Sequence, residues 1–392
     1  MSGATKDVDV VVVGGGIAGL TVAWRASERG MKVALLERDV LGSGASRVAA
    51  GMLAPVAETE FGQAGRRALE LGTRSAASWP EFAEELTTAS GEAVQLHRSG
   101  TLMVARDADE ARELERQLAL RESLGLTARR LRASEARELE PALAPSVRLA
   151  LEAPDDHSVD PRIVLSALRI ACERGGVQLR ERTGVASVET DGDGATVTGV
   201  RLADGALLGA ASVVLAAGAW SQQIGGLPPA AGVSVRPVKG QIMRLRDPAG
   251  PGLLSRVLRY EGGYIVPRGD GRYVLGATVE ERGFDSSPTA GGVYELLRQA
   301  RELVPGILEL EIEELSVGFR PGTPDNLPVI GRGELAGLLW ATGHYRNGIL
   351  LAPLTGQLVA QALDEAAAGR GSAMNRQGLA VNGRSLAAEV EA

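Results

Sequence analysis

Three glycines and one acidic residue near the start of the chain are spaced for holding a nucleotide. Gly14-x-Gly16-x-x-Gly19 follows a valine-rich run, and Glu37 comes 18 residues after Gly19. In such an arrangement the first glycine permits a tight turn. The second lets a pyrophosphate approach the backbone, and the third lets a helix pack closely on the preceding strand. The helix N-terminus offers free N–H groups and a partial positive charge to phosphates, while the acidic side chain can hold a ribose hydroxyl. This pattern alone does not separate NAD from FAD.

Four later features favour FAD. Gly42 to Leu53 is rich in small residues and can lie under a long extended cofactor with little obstruction. Val213 to Trp220 reads as a second buried strand that ends in small residues. Asp325 to Gly331 precedes the last strand. Gly343-His344-Tyr345-Arg346-Asn347-Gly348 places a second turn before a second helix, where backbone N–H groups could face an anion or a flavin carbonyl.

The elements that must position these residues are legible from periodicity. Val8–Val13 and 32–37 read as buried strands, with 20–29 between them as a helix ended by Gly30. That order is a βαβ unit, whose parallel strands need the helical crossover. Helices are expected at 64–86, 107–124, 161–174, 293–304 and 348–363, the second of these exposed and amphipathic. Segments 185–189, 196–202 and 207–216 form a three-stranded meander, with Asp-Gly turns between them. More short strands follow between Ser234 and Val279, and a last apolar strand at 337–342.

The expected architecture is α/β: a Rossmann-type FAD-binding domain assembled from discontinuous segments, plus an inserted α+β substrate domain with a mostly antiparallel sheet. The boundaries expected are 1–85, 155–230 and 315–368 for the first domain, and 86–154 with 231–314 for the second. The tail 369–392 is small and polar and is expected to be poorly ordered.

Composition removes several classes. The 42 Lys and Arg against 49 Asp and Glu give a formal charge of −7 with no block of one sign, so no nucleic-acid partner is expected. No stretch reaches the ~20 apolar residues that span a bilayer, and no secretory pattern opens the chain, so a cytoplasmic protein with no membrane partner is expected. Cys172 is the single cysteine, which precludes an intramolecular disulfide. His97 and His157 lack metal-ligand spacing, and no metal is expected. Gly-x-Ser-x-Gly and Gly-Lys-Ser/Thr motifs are absent from the sequence. Arg129 to Arg132 reads as a solvated face.

Taken together, the motifs resemble the D-amino-acid oxidase-like flavoproteins, and within them the glycine oxidases of thiazole (thiamine) biosynthesis. The resemblance runs from about Val8 to about Leu363. It is carried most specifically by Ala49-Ala50-Gly51-Met52-Leu53-Ala54-Pro55, Pro237-Val238-Lys239-Gly240-Gln241, Tyr264-Ile265-Val266-Pro267-Arg268, Gly318-Phe319-Arg320-Pro321-Gly322-Thr323 and Gly343 to Leu350. It implies noncovalent FAD, hydride transfer from glycine to give the imine, reduction of O2 to H2O2, and a product that feeds thiazole synthesis. Sarcosine and small D-amino acids are implied as further substrates, and a homo-oligomer as the assembly.

Residue by residue, the resemblance makes Arg320 the carboxylate clamp, Arg346 a second substrate position beside the flavin, and Tyr264 an active-site tyrosine. The expected cofactor contacts are Gly14, Gly16, Ile17, Ala18, Gly19, Glu37, Arg38, Ala45, Ser46, Ala50, Gly51, Met52, Val185, Gly218, His344, Tyr345, Arg346, Asn347, Gly348, Ile349 and Leu350. Where the family often carries a histidine and a methionine, this chain has Gly262 and Val279, which bears on fine substrate preference. Two alternatives stand beside the oxidase. One is an amino-acid or sarcosine dehydrogenase of the same fold that uses another electron acceptor. The other is a flavin-binding subunit without turnover, which would have no need of a carboxylate clamp.

Overall fold

The computed structural model describes residues 7–368. The expected tail at 369–392 lies outside the described residues. The chain begins with the βαβ unit: β1 (Val8–Val13), α1 (Ile17–Ser27) and β2 (Val33–Leu36). β1 pairs in parallel with β2, Val10 opposite Val33 through Val13 opposite Leu36. α1 begins within the glycine motif itself, three residues before its apolar face suggested, because Gly16 serves as the N-cap. A single helical turn, α2 (Ala45–Val48), interrupts the glycine-rich stretch and leads into β3 (Met52–Leu53).

The middle of the chain supplies α3 (Gly62–Ser90), β4 (Leu96–His97), β5 (Thr101–Ala105), α4 (Ala108–Ser123), β6 (Arg129–Arg132), α5 (Ala133–Leu139), β7 (Leu149–Ala153), β8 (His157–Val159), α6 (Pro161–Arg174) and β9 (Gln178–Arg180). α4 is capped by Asp107, whose carboxylate accepts from the N–H groups of Asp109 and Glu110. α6 carries Pro161 in its first turn, capped by Asp160. The expected meander follows as β10 (Val185–Thr190), β11 (Val197–Leu202) and β12 (Leu207–Leu215). Then come β13 (Arg236–Arg246), β14 (Val257–Tyr260), β15 (Gly263–Pro267), β16 (Arg272–Gly276), α7 (Ala290–Leu303), β17 (Glu311–Gly322), β18 (Val329–Arg332), β19 (Leu338–Thr342) and α8 (Ala352–Ala367). α8 starts four residues later than its pattern suggested, because the chain from Asn347 to Leu351 is spent on a turn.

Two eight-stranded sheets dominate. The first runs β10-β11-β12-β1-β2-β9, with β19 on β12 and β18 on β19. Its centre is parallel and its meander arm antiparallel. β12 belongs to both: Leu207 to Gly209 pair with β11, and Ala210 to Leu215 pair with β1. The second sheet runs β17-β13-β16-β15-β14-β5-β7-β6 and is antiparallel except where β14 meets β5. A small sheet, β3-β8-β4, lies apart from both.

The glycine turn is fixed by contact rather than preference. Gly14 takes φ +110°, and a β-carbon there would meet the Ala216 carbonyl oxygen at 2.5 Å. A β-carbon on Gly19 would overlap the Gly14 carbonyl oxygen. Gly19→Ala should therefore push α1 off β1. Overpacking of this kind costs about 1–3 kcal/mol. A thermal midpoint several degrees below wild type is expected, and an unchanged midpoint would mean that the turn has room the geometry denies.

Candidate active site and cofactor cleft

A cavity of about 880 Å³ lies between the two large sheets and is lined from both. Arg268, at the end of β15, fixes one of its walls. It is 5% exposed and donates to the Ala50 carbonyl (Nη2, 2.7 Å) and the Val159 carbonyl (Nη1, 3.1 Å). The second sheet is thereby tied to the small-residue strip Val48 to Met52, which lines the cavity. Gly51 (φ +79°) completes this seam, since a side chain there would run into the Val159 carbonyl.

The phosphate-type cradle has the form its sequence implied. α1 has no side-chain N-cap bond. Its first N–H, on Ile17, donates to Ser46 Oγ at 3.0 Å. Glu37 accepts from the N–H of Gly15 (2.7 Å) and of Asp39 (2.9 Å), which pins the carboxylate at the cavity wall. Gly14, Gly16, Ile17, Ala18, Glu37, Arg38, Ala45, Ser46, Ala50, Gly51, Met52, Val185, Gly218, His344, Tyr345, Arg346, Asn347, Gly348 and Ile349 all line the cavity. Two expected contacts do not. Gly19 is consumed by the helix–strand contact with Gly14. Leu350 is buried in the core, and its carbonyl already accepts from Ser75 Oγ (2.7 Å) and Trp79 Nε1 (2.9 Å) of α3.

The second turn is tightly specified. Gly343 (φ +76°) and Tyr345 (φ +47°) both adopt left-handed backbone, and the Tyr345 N–H donates to the Pro321 carbonyl at 3.0 Å. His344 is buried, with Nε2 2.9 Å from Thr355 Oγ1. Burial holds its imidazole down at about 4, so it is neutral near pH 7.

Arg320 lies on β17. β17 is the sheet edge, paired only with β13, and its exposed Ile312 and Leu315 blur the alternation. The Arg320 guanidinium donates from Nη1 to the Thr278 carbonyl (3.1 Å) and the Lys239 carbonyl (3.4 Å). No carboxylate among the described residues pairs with it. It fits against β13 because residue 240 is glycine: a β-carbon there would sit 2.6 Å from Nη2. Tyr264 stands nearby on β15. Burial pushes its phenol up, and the Arg320 charge pulls it back down.

Arg346 has different surroundings. It lines the cavity but is bound by two acids, Glu58 (3.8 Å) and Glu60. Glu58 is also held by Arg259 at 2.8 Å, and both line the cavity. Neither Glu58 nor Arg259 stood out in the sequence; the one available signal was the position of Glu58 seven residues after Gly51, just beyond the small-residue strip. The loop carrying Glu58 is anchored from behind. Asp156 accepts from the Val56 (3.1 Å) and Ala57 (2.6 Å) N–H groups, and buried Arg121 donates to the carbonyls of the same two residues. Gly262 and Val279 both line the cavity, Val279 at its open side, 59% exposed. Cys172 is buried in α6, and its Sγ is 3.4 Å from the Leu20 carbonyl oxygen. No metal-ligating cluster occurs among the described residues. No helix among them is long and apolar enough to cross a membrane.

A glycine cradle at a bare helix N-terminus, a pinned ribose-type carboxylate and a long cleft floored by small residues fit an extended dinucleotide. With an unpaired arginine across the cleft, they define a flavoprotein oxidoreductase that handles a carboxylate. The family described as FAD dependent oxidoreductase matches residues 9–362, and the chain belongs to it. It is 38% identical to the glycine oxidase of Geobacillus kaustophilus over 92% of this chain and 94% of that protein. It is 36% identical to the bifunctional protein ThiO/ThiG of Trichormus variabilis, over 91% of this chain and 53% of that protein. The crystal structure of glycine oxidase from Geobacillus kaustophilus superposes with a TM-score of 0.85 at 35% identity, covering 95% of this chain and 98% of that one.

Two predictions follow from the buried groups. Gly240→Ala should displace the Arg320 guanidinium and weaken carboxylate binding at least about tenfold, read as glycine KM at matched FAD content. Stability should also depend on pH in two opposing ways. Below its unfolded value of 6.5, His344 is protonated more readily in the unfolded chain, so stability falls as pH drops toward about 4. Asp156, pushed up by burial to about 7 from 3.8, holds its proton better when folded, so stability falls as pH rises across that window. In urea denaturation of the apoprotein, His344→Gln should be less stable at pH 7.5 than at pH 5, and Asp156→Asn more stable. Parallel pH profiles for the two variants would contradict both assignments.

Proposed function

We propose that this protein oxidises glycine to its imine in the cleft, with the reaction glycine + O2 → iminoacetate + H2O2. The relatives named glycine oxidase and ThiO/ThiG support this reading, and support thiazole synthesis for thiamine as the use of the product. Sarcosine and small D-amino acids are further substrates. We also propose noncovalent FAD, in keeping with the only cysteine being buried in α6, and a cytoplasmic homo-oligomer. We also propose the division 1–85, 155–230 and 315–368 for the cofactor and 86–154 with 231–314 for the substrate, with β17 crossing the boundary at 314/315 and carrying Arg320 to the substrate side.

One observation carries the substrate assignment: Arg320 is a guanidinium facing the cavity, seated on two carbonyls, with no carboxylate partner among the described residues. Arg121 and Arg268 are also seated on carbonyls but do not line the cavity, whereas Arg320 does. A planar fork accepts a carboxylate through two parallel hydrogen bonds and fixes the α-carbon of the bound amino acid. Tyr264 adds a hydroxyl beside that fork. Arg346, neutralised by Glu58 and Glu60, shapes the same end of the cavity and contributes less net charge to the clamp.

FAD, when bound, supplies the acceptor for the hydride. The protein holds the substrate and excludes misplaced orientations, a contribution that can reach several kcal/mol. His344 is neutral with Nε2 on Thr355, and Glu58 is held by two arginines. Neither is free to act as a strong base, so the substrate amine reacts as the neutral form and the rate should climb with pH until the amine is deprotonated.

The test is anaerobic mixing of FAD-loaded protein with glycine, sarcosine and D-alanine while the flavin absorbance bleaches. Reoxidation by air with stoichiometric H2O2 supports the oxidase, whereas reoxidation only by a quinone or dye would identify a dehydrogenase. Arg320→Ala should lose about 30-fold to several-thousand-fold in glycine efficiency, and Arg320→Lys should recover part of it. FAD content should match wild type in both. Normal reduction of Arg320→Ala at low glycine would remove Arg320 from the clamp.

A further inference from the structure

We propose that the segment from Glu280 to Pro288 is a clasp over the cofactor cleft, which must lift for FAD to enter or leave. The proposal rests on the reading of the cleft as the FAD site. The segment joins β16 to α7, and all its residues except Glu280 and Asp285 are exposed. Its inner side nevertheless lines the cavity, through Phe284 and Ser286.

Phe284 is the point of closure. Its ring stacks on Trp220 (centroids 4.9 Å apart, planes at 21°) and meets Phe319 edge-on at 5.4 Å. On Trp220 also rests the guanidinium of Arg38, 3.9 Å from the ring centroid. Arg38 directly follows the ribose-type carboxylate of Glu37. The three side chains therefore bridge from the end of β2 across the cleft to the segment, and all three line the cavity. A ligand that runs from Glu37 toward Arg320 passes beneath this bridge.

The segment is tied at its ends and beside Phe284 to the face of β13 that points away from the cavity. Lys239, wholly buried, donates from Nζ to Asp285 Oδ2 (2.9 Å) and the Ser287 carbonyl (2.8 Å). Gln241 donates from Nε2 to Glu280 Oε1 (2.7 Å) and Thr289 Oγ1 (3.1 Å), and its Oε1 accepts the Thr289 N–H (2.8 Å). Gln241 holds the two ends of the segment, while the middle is closed by the contacts of Phe284 with Trp220 and Phe319 and by the Lys239 tie to the adjacent Asp285, so the segment can open at Phe284 and Asp285 while its ends stay attached. Segments with few buried apolar contacts open at low cost relative to the core. Lys239 is a positioning residue in this scheme, acting through Asp285.

The experiment uses the FAD-loaded full chain, with Phe284→Ala and Asp285→Asn beside wild type. FAD release is followed by recovery of flavin fluorescence on dilution, and the thermal midpoint of each apoprotein is measured separately. Phe284→Ala removes two aromatic pairs, each worth about 0.5–1.5 kcal/mol, so it should release FAD about 5- to 150-fold faster. Asp285→Asn, which keeps the side-chain shape and removes the ion pair, should shift release in the same direction. The Phe284→Ala apoprotein midpoint should match wild type, whereas Asp285→Asn, which leaves the buried Lys239 ammonium without its close partner, should also lower the apoprotein midpoint. Release at the wild-type rate in either variant, or faster release from Phe284→Ala accompanied by an equally destabilised apoprotein, overturns the clasp while leaving the FAD site intact. A wild type that takes up no FAD would remove the cleft reading and the clasp with it.

Discussion

The two arms of the Arg268 guanidinium fix the floor of the cleft against the second sheet. One reaches Ala50 in the small-residue strip and the other Val159 at the end of β8, so a single buried side chain just after β15 grips two separate segments. The strip from Val48 to Met52 has almost no side-chain bulk with which to define its own position, and it depends on backbone contacts for its place. Burial lowers the Arg268 guanidinium to about 10, still well above neutral pH, so both bonds are made by a charged donor at pH 7. The nearest acid, Asp160, is 4.0 Å away and is itself spent on capping α6. Arg268 is thus committed to carbonyls, and the geometry of the cleft inherits its rigidity.

Charge within the cleft is distributed by the same logic. Arg259 and Arg346 share Glu58, and Glu60 completes the neutralisation of Arg346. Arg320 receives only carbonyl dipoles. An uncompensated guanidinium facing a cavity is expensive unless a ligand supplies the missing charge. The site therefore spends its positive charge at one point, and the other arginines shape the wall.

The sequence was informative where a short local pattern has only one physical solution. Gly14 to Glu37 fixed the βαβ unit, and the Asp-Gly turns fixed the meander, because tight turns and buried parallel strands leave few alternatives. It was least informative where pairing is long-range. β17 hides behind an acidic, half-exposed edge, so no strand was expected over 311–322, where Arg320 lies. The single turn α2 forms inside a stretch of small residues with weak helical character. Glu58 and Arg259 are 201 positions apart and meet only because β14 and the loop after β3 face each other across the cleft. The pairing of Leu350 with α3 was equally invisible: nothing local tells that a carbonyl in an apparent flavin turn is already used by Ser75 and Trp79. The residues proposed for the clamp were legible only through resemblance, since periodicity carries no information about which arginine lacks a carboxylate partner.

The double membership of β12 has a bearing on how such a chain can change in length. Its first residues belong to a hairpin arm and its last to the parallel centre, and it runs on directly into Ala216, Ala217 and Gly218 at the cavity wall. An added or lost residue within β12 would invert the facing of every residue after it, since side chains alternate along a strand. The glycine turn at Gly14 would then meet a side chain where it now meets the Ala216 backbone. The turns at 191–195 and 203–206 sit on the arm, outside that register. A residue added at the exposed tips Gly192 to Gly194 or Asp204 to Gly205 leaves that register unchanged, whereas one added a few residues further along the same ribbon shifts it.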